Sequence, residues 1–170
     1  MIRAIVAVDK KWGIGKNNGL LFSLPEDMKF FRTTTTGKTV VMGYNTLRSF
    51  PGGKPLKNRI NVVLCPEEKH DEGCMFVKNM NELFAEIEGK GEVYVIGGAM
   101  TYHTLLPYCD EALVTKVDAD GEATVFFDNL DALENWSLES ESETVETNGY
   151  KIKFTKYVNS DVKKYNSEKI

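Results

Sequence analysis

Apolar, β-branched runs recur along the chain and alternate with stretches of helical spacing. Residues 2–8 (Ile-Arg-Ala-Ile-Val-Ala-Val) hold too few polar positions for a half-exposed strand and read as one buried on both faces. The same pattern recurs at 39–43, 59–65, 92–97 and 111–117, with a shorter version at 75–77. Helices are predicted over about 23–35, 44–50, 81–88 and 99–106. Gly37 stops the first, Pro51-Gly52-Gly53 the second, Asn79 and Gly89 bracket the third, and Pro107 ends the fourth. Strand and helix alternate, which predicts a single-domain α/β fold with a mostly parallel central β-sheet and flanking helices. Beyond 117 the pattern changes. Residues 136–143 and 150–158 alternate on either side of Thr147-Asn148-Gly149, the signal for an antiparallel C-terminal hairpin. Residues 159–170 are polar and Lys-rich without periodicity, so the domain is expected over 1–158 and a loose C-terminal tail after it.

With 170 residues, 42% of them hydrophobic, the chain can bury one sizeable core and is too short for two ordinary domains. The net charge of -4 comes from acidic and basic residues mixed throughout, which leaves no electrostatic footprint for nucleic acid or an anionic membrane. Cys65, Cys74 and Cys109 are odd in number and widely spaced, which argues against a disulfide framework or a zinc site and for a reducing, cytoplasmic setting. The first apolar run is too short for a signal peptide, and nothing later reaches membrane-spanning length. In that setting Asn135-Trp136-Ser137 is a chance glycosylation match. A monomer is expected, with a small molecule as partner.

The stretch with most chemical content runs from Ile14-Gly15-Lys16-Asn17-Asn18-Gly19-Leu20 through Ser23-Leu24-Pro25-Glu26-Asp27-Met28-Lys29-Phe30-Phe31-Arg32. Ser23 with Glu26 fits a capping box and Pro25 suits a first turn, so a glycine-punctuated loop should lead directly into a helix. Helical spacing then sets Asp27 beside Phe30, Phe31 and Thr34, a carboxylate sharing its face with two aromatic rings. An aspartate in a first turn ordinarily complements the helix dipole. Here its apolar neighbours also make it a candidate desolvated acid.

Two apparent phosphate loops fail. Gly37-Lys38-Thr39 has Arg32 where a Walker motif needs its first glycine and runs into a strand. Gly13, Gly15 and Gly19 have the wrong spacing for a dinucleotide fingerprint. Two other turns fit an anion better. Ile96-Gly97-Gly98-Ala99 and Gly43-Tyr44-Asn45-Thr46 each end a buried strand on glycine just before a helix, whose free N–H groups would face a phosphate. One such turn alone is ordinary strand-to-helix packing; the pair suits a ligand with two phosphates. His70 and His103 lack a Ser, Cys or acid at telling spacing and read as surface or packing residues, and no metal-ligand cluster is visible.

Together, the loop and Leu-Pro-Glu-Asp helix start, the two glycine turns, Ile5 and Ala7, Pro55-Leu56 before Arg59, and Leu113-Val114-Thr115-Lys116-Val117-Asp118-Ala119 closely resemble dihydrofolate reductase. The resemblance extends to about Tyr157 and implies NADPH as cofactor and 7,8-dihydrofolate as substrate, with hydride transfer to C6 and Asp27-assisted protonation at N5. It implies that Ile5, Met28, Phe31, Leu56 and Ile96 wall the pterin and benzoyl groups, with Val6 and Arg32 also at the substrate. Thr115 would bond near Asp27, and Arg59 would take the glutamate tail, a role that suits a planar fork. Without the resemblance Arg59 is an ordinary surface arginine at a strand start.

On the cofactor side the resemblance implies Ala7, then Ile14, Gly15, Asn18, Gly19 and Leu20 of the loop. Gly43, Tyr44, Asn45 and Thr46 follow at one glycine turn. Gly97, Gly98, Ala99, Met100, Thr101 and Tyr102 follow at the other, with Leu64, Cys65 and Lys78 between them. The loop over about 11–21 lacks apolar periodicity and is expected to be a mobile lid. Three departures from the family pattern stand out. Leu21-Phe22 replaces Pro-Trp, Ala123 replaces an aspartate that usually steadies the lid, and Tyr44 and Met100 stand where arginines often hold the 2′-phosphate, leaving Lys78 or another nearby base as the expected cation and a smaller preference for NADPH. Two alternatives remain open: a related reductase of riboflavin synthesis, and a non-catalytic nucleotide- or RNA-binding module. The first leaves Asp27 and Arg59 unexplained, and the acidic balance argues against RNA.

Overall fold

The structure, a computed structural model, describes residues 1–17 and 19–166. In chain order its elements are β1 (Ile2–Val8), β2 (Gly13–Gly15), α1 (Pro25–Thr35), β3 (Thr39–Gly43), α2 (Tyr44–Ser49) and β4 (Ile60–Leu64). There follow β5 (Cys74–Val77), α3 (Met80–Ile87), β6 (Val93–Gly97), α4 (Ala99–Leu105) and β7 (Glu111–Val117). The last four are β8 (Val125–Phe126), β9 (Trp136–Glu141), β10 (Val145–Thr147) and β11 (Tyr150–Asn159). The main sheet has nine strands in the order β10-β11-β7-β1-β6-β3-β4-β5, with β9 also paired to β11. The run from β7 to β5 is parallel, and only the β11 pairings are antiparallel.

The continuous apolar runs form central strands because both faces of the sheet are covered. Along β3, Val40 and Met42 join one cluster with Ile5, Leu47, Val63 and Tyr94, against which Phe30 and Phe31 of α1 pack. Val41 points the other way, into the cluster that holds Leu83 and Ile87 of α3 and Tyr102 and Leu105 of α4. Val40, Val41 and Met42 are at most 1% exposed. Full burial of an aliphatic side chain of this size contributes about 1.5 to 3 kcal/mol.

Four expectations need correcting. The first helix starts at Pro25 with Leu24 as its N-cap and no capping side chain there, so the Ser23–Glu26 box does not form. Leu24 is instead buried beside Val117 and Ile152, and its burial outweighs a local cap. The Glu26 N–H donates to Thr147 Oγ1 at 3.2 Å, and Asn148 Nδ2 donates to the Ser23 carbonyl at 3.0 Å, so the C-terminal hairpin turn caps α1 from across the fold. Second, that hairpin is split. Asn148-Gly149 does turn β10 into β11, but β9 is a separate strand that pairs with the far end of β11. Third, residues 13–15 of the expected lid form a ladder with 125–126, too short and Gly-rich for periodicity to reveal. Fourth, the described part of the tail does not hang free. Lys163 N–H donates to the Pro107 carbonyl, and Tyr165 stacks on Phe84 at 4.4 Å and bonds Asn81.

Candidate active site

From β3 the chain leaves through α2 to β4, away from β6. From β6 it leaves through α4 and crosses beyond β1 to β7. Leu47 of α2 packs on one face of the sheet and Leu105 of α4 on the other. The strand order therefore diverges between β3 and β6, and a crevice opens beyond their carboxyl ends, the place where α/β sheets bind ligands. β1 lies on the other side of β6, so its end borders the same crevice.

Asp27 enters this region from the first turn of α1 and is half-buried. Thr115 on β7, paired in register with Ala7, donates its hydroxyl to Asp27 Oδ1 at 2.6 Å. Among the described residues no cation lies within ion-pair distance of this carboxylate. Burial pushes the Asp27 carboxyl above its ordinary pKa, and the Thr115 bond offsets part of that rise. Tyr102 is buried close by and donates its hydroxyl to the Ile5 carbonyl at 2.7 Å. Burial first, and then the charge of Asp27, hold its phenol well above the usual value. The site thus holds a desolvated acid with one hydroxyl donor and little competition for its remaining lone pairs.

The two glycine turns meet across the β3–β6 pair, where Met42 is in register with Gly97. Each admits the threonine of the opposite helix. A Cβ on Gly43 would stand 2.9 Å from Thr101 Oγ1, and one on Gly97, whose φ is +141°, would stand 3.1 Å from Thr46 Oγ1. Neither α2 nor α4 has a side-chain cap, whereas Asn79 Oδ1 caps α3 by accepting from Glu82 N–H at 2.9 Å. The first N–H groups of two adjacent helices are therefore left for an anion, and the glycine backbones leave room for it to approach. The residues present fit a pyrophosphate.

Other expected residues fall into groups. Ile5, Phe31, Leu56 and Ile96 share one apolar cluster. Arg59 rests on the Phe31 ring at 6.0 Å and donates to the Lys57 carbonyl at 3.0 Å. Burial, and then the neighbouring Arg32, lower its pKa, so two cations face one another where an anion would relieve both. Met28, Met100 and Leu20 are exposed large apolar side chains at 58%, 80% and 82%. Gly15 and Gly19 lie on the loop, and Asn45 is exposed at the start of α2. Ala99 opens α4. Asn18 lies outside the described residues.

Three expected residues point elsewhere. Strand alternation turns Val6 away from Ile5 and packs it, with Ile14 and Leu64, against the α3–α4 cluster, so their side chains do not line the crevice's apolar wall. Ala7 returns to the near side, beside Phe22 and Phe154. Cys65 is buried, with its N–H bonded to the Val77 carbonyl. Lys78 lies 4.0 Å from Glu68, while Lys69 and Arg48 approach the Tyr44 ring at 5.1 and 5.8 Å. The histidines do find acids: His103 Nδ1 is 2.8 Å from Asp128 and His70 is 3.4 Å from Glu68, partners too distant in sequence or too exposed to be telling.

Sequence reasoning passed over Asp9. Its place after an apolar strand and four residues before a glycine is an Asx-turn signal. It also passed over Lys69, which carries no local signal.

The family profile described as dihydrofolate reductase matches residues 1–159. The chain is similar to dihydrofolate reductase of Bacillus subtilis (strain 168), 35% identical over 161 residues, covering 92% of this chain and 94% of that one. It is 32% identical to the Haemophilus influenzae protein of the same name over 152 residues, 88% of this chain and 93% of the other. Among solved structures, dihydrofolate reductase from Enterococcus faecalis complexed with NADP(H) and RAB-propyl superposes with a TM-score of 0.85 at 30% identity, covering 95% of this chain and 97% of that one. With a family profile matched over nearly the whole length and relatives of this identity and coverage, this chain belongs to the dihydrofolate reductase family.

Proposed function

We propose that the crevice reduces 7,8-dihydrofolate to 5,6,7,8-tetrahydrofolate, with Asp27 promoting protonation at N5. The observation that carries this role is a desolvated carboxylate at the crevice with one hydroxyl partner, Thr115. Bound NADPH supplies the hydride that reduces the C6=N5 bond at C6. Asp27, when ionised, accepts hydrogen bonds from the pterin's amino edge, orients the ring, and draws a proton through water and the pterin toward N5. Burial raises its pKa, with the Thr115 bond offsetting part of the rise, so the carboxylate holds a proton more readily than an exposed aspartate does. Assistance of this kind contributes about 100- to 10,000-fold in rate.

The remaining residues bind and orient. Ile5, Phe31, Leu56 and Ile96 wall the aromatic part of the substrate, and Arg59 with Arg32 takes the glutamate carboxylates. Gly43, Gly97 and the starts of α2 and α4 hold the pyrophosphate. For the 2′-phosphate we assign Arg48 and Lys69, which both approach the Tyr44 ring, in preference to Lys78; each lysine also has an acid nearby, Glu67 at 3.7 Å from Lys69 and Glu68 at 4.0 Å from Lys78. Glu67, Glu68, Asp71 and Glu72 line a cavity of about 510 Å³ beside them, so the local field favours that phosphate weakly.

We further read the protein as a cytoplasmic monomer that acts without nucleic acid, on its net charge of -4 and its three free thiols. No helix among the described residues is long and apolar enough to cross a membrane. Residues 1–158 act as the reductase unit, and Tyr165 of the segment beyond them packs on Phe84 of α3.

Following NADPH oxidation with and without dihydrofolate tests the reaction. Consumption that requires both supports it, and none with dihydrofolate present overturns it. Comparing kcat/KM for NADPH and NADH tests the cation assignment. A preference for NADPH that shrinks in Lys69→Met is expected, and an unchanged ratio contradicts it.

A further inference from the structure

Both ends of the loop that borders the crevice meet at Gly121. At the near end, Asp9 closes β1 with only 3% of its surface exposed. Its Oδ1 accepts the N–H groups of Lys11 and Gly13 at 2.8 and 2.7 Å, and its Oδ2 accepts the N–H of Gly121 at 3.0 Å. At the far end, a Cβ on Gly121 would stand 2.9 Å from Leu21 Cδ1 and 3.0 Å from Phe22 Cζ, so the loop's last residues close over the same glycine. Gly13 is equally constrained: a Cβ there would stand 2.3 Å from Ala123 Cβ and 2.9 Å from both Asp9 oxygens. Between these points Thr124 N–H donates to the Gly15 carbonyl and Phe127 N–H to the Trp12 carbonyl, at 2.9 and 2.8 Å. The side-chain ties across the same gap, Lys11 to Asp120 and Lys16 to Glu122, are solvent-exposed. They contribute little.

We propose that Asp9 is a positioning residue for the reaction: its buried carboxylate locks the 119–127 segment to the base of the loop and so fixes the loop's reach over the crevice. Charge-assisted bonds from three backbone donors are the strongest links available here, and they leave Asp9 no free capacity for substrate. The inference rests on the reading of residues 11–21 as the crevice's lid. The backbone bonds Thr124–Gly15 and Phe127–Trp12 join the same two segments, and Asp9 adds a buried side-chain anchor to them.

Asp9→Asn keeps the shape but turns one acceptor into a donor facing a backbone N–H. Full-length parent, Asp9→Asn, the surface control Asp120→Asn and the core control Val62→Ala are compared by amide exchange and by NADPH–dihydrofolate kinetics. Asp9→Asn is expected to speed exchange at Lys11, Gly13 and Gly121 selectively and to lower kcat about tenfold, with KM changing far less. Asp120→Asn keeps parent values, and Val62→Ala melts lower with kcat retained. The proposal is overturned if Asp9→Asn leaves kcat at the parent level, or if Val62→Ala loses kcat equally. Should Asp9→Asn not fold, exchange in the parent decides: slow exchange at Gly13 and Gly121 supports the lock, and free-peptide rates reject it. A parent without dihydrofolate reduction would sink the functional reading while leaving the exchange result intact.

Discussion

Two aspartates on opposite sides of the lid show how differently one sequence can use one functional group. Asp9 is buried and takes three backbone N–H donors, while Asp27 is half-buried and takes a single hydroxyl. The first has its charge compensated and its geometry fixed, so it holds structure together. The second is short of donors, and burial disfavours its charge. It is therefore available for chemistry and costs stability. A carboxylate's role here follows from how many donors surround it rather than from how deeply it is buried.

The two isosteric swaps should consequently have opposite signs. For Asp27 the folded-state pKa lies above the unfolded one, so the folded form binds the proton more tightly. The stability this brings is present below the unfolded pKa and is lost as pH rises through the folded pKa. At neutral pH ionised Asp27 thus weakens the fold, and Asp27→Asn should melt at or above the parent temperature. Its kcat should fall to under about one hundredth, recovering partly at low pH as dihydrofolate is protonated in solution. A variant that melted lower and still turned over at near-parent rate would break the contrast.

Asp9→Asn should instead destabilise by about 1 to 3 kcal/mol, because it leaves a buried donor unmatched. Denaturant unfolding of both variants under one set of conditions checks the pair, and equal signs would remove the distinction drawn here. A smaller effect sharpens it. Thr147→Ala takes the remote cap from the helix that carries Asp27 and should cost about 0.5 to 2 kcal/mol with KM for dihydrofolate rising modestly. Stability unchanged in that variant would return the cap to local residues.

Much of this was legible in the sequence. The buried strands and glycine turns announced themselves because burial on both faces and strand-to-helix geometry leave strong local patterns, as at Val40-Val41-Met42-Gly43. Asp27 stood out because helical spacing sets it beside Phe30 and Phe31. The cap of α1 did not, since the acceptor of its Glu26 N–H, Thr147, lies 121 residues away. The lid's ladder was hidden for a similar reason: Gly13–Gly15 has almost no side chains to pattern, and its partners at 125–126 are remote. Asp9 was passed over because only the folded loop brings Gly121 to it.

Carbon-13 NMR titration of the Asp27 carboxyl in the ligand-free protein tests the central claim most directly. The account predicts a midpoint above the ordinary aspartate value, moving higher still in Thr115→Val, which removes the one bond that lowers it. A midpoint at or below the ordinary value, unmoved by that substitution, would contradict it.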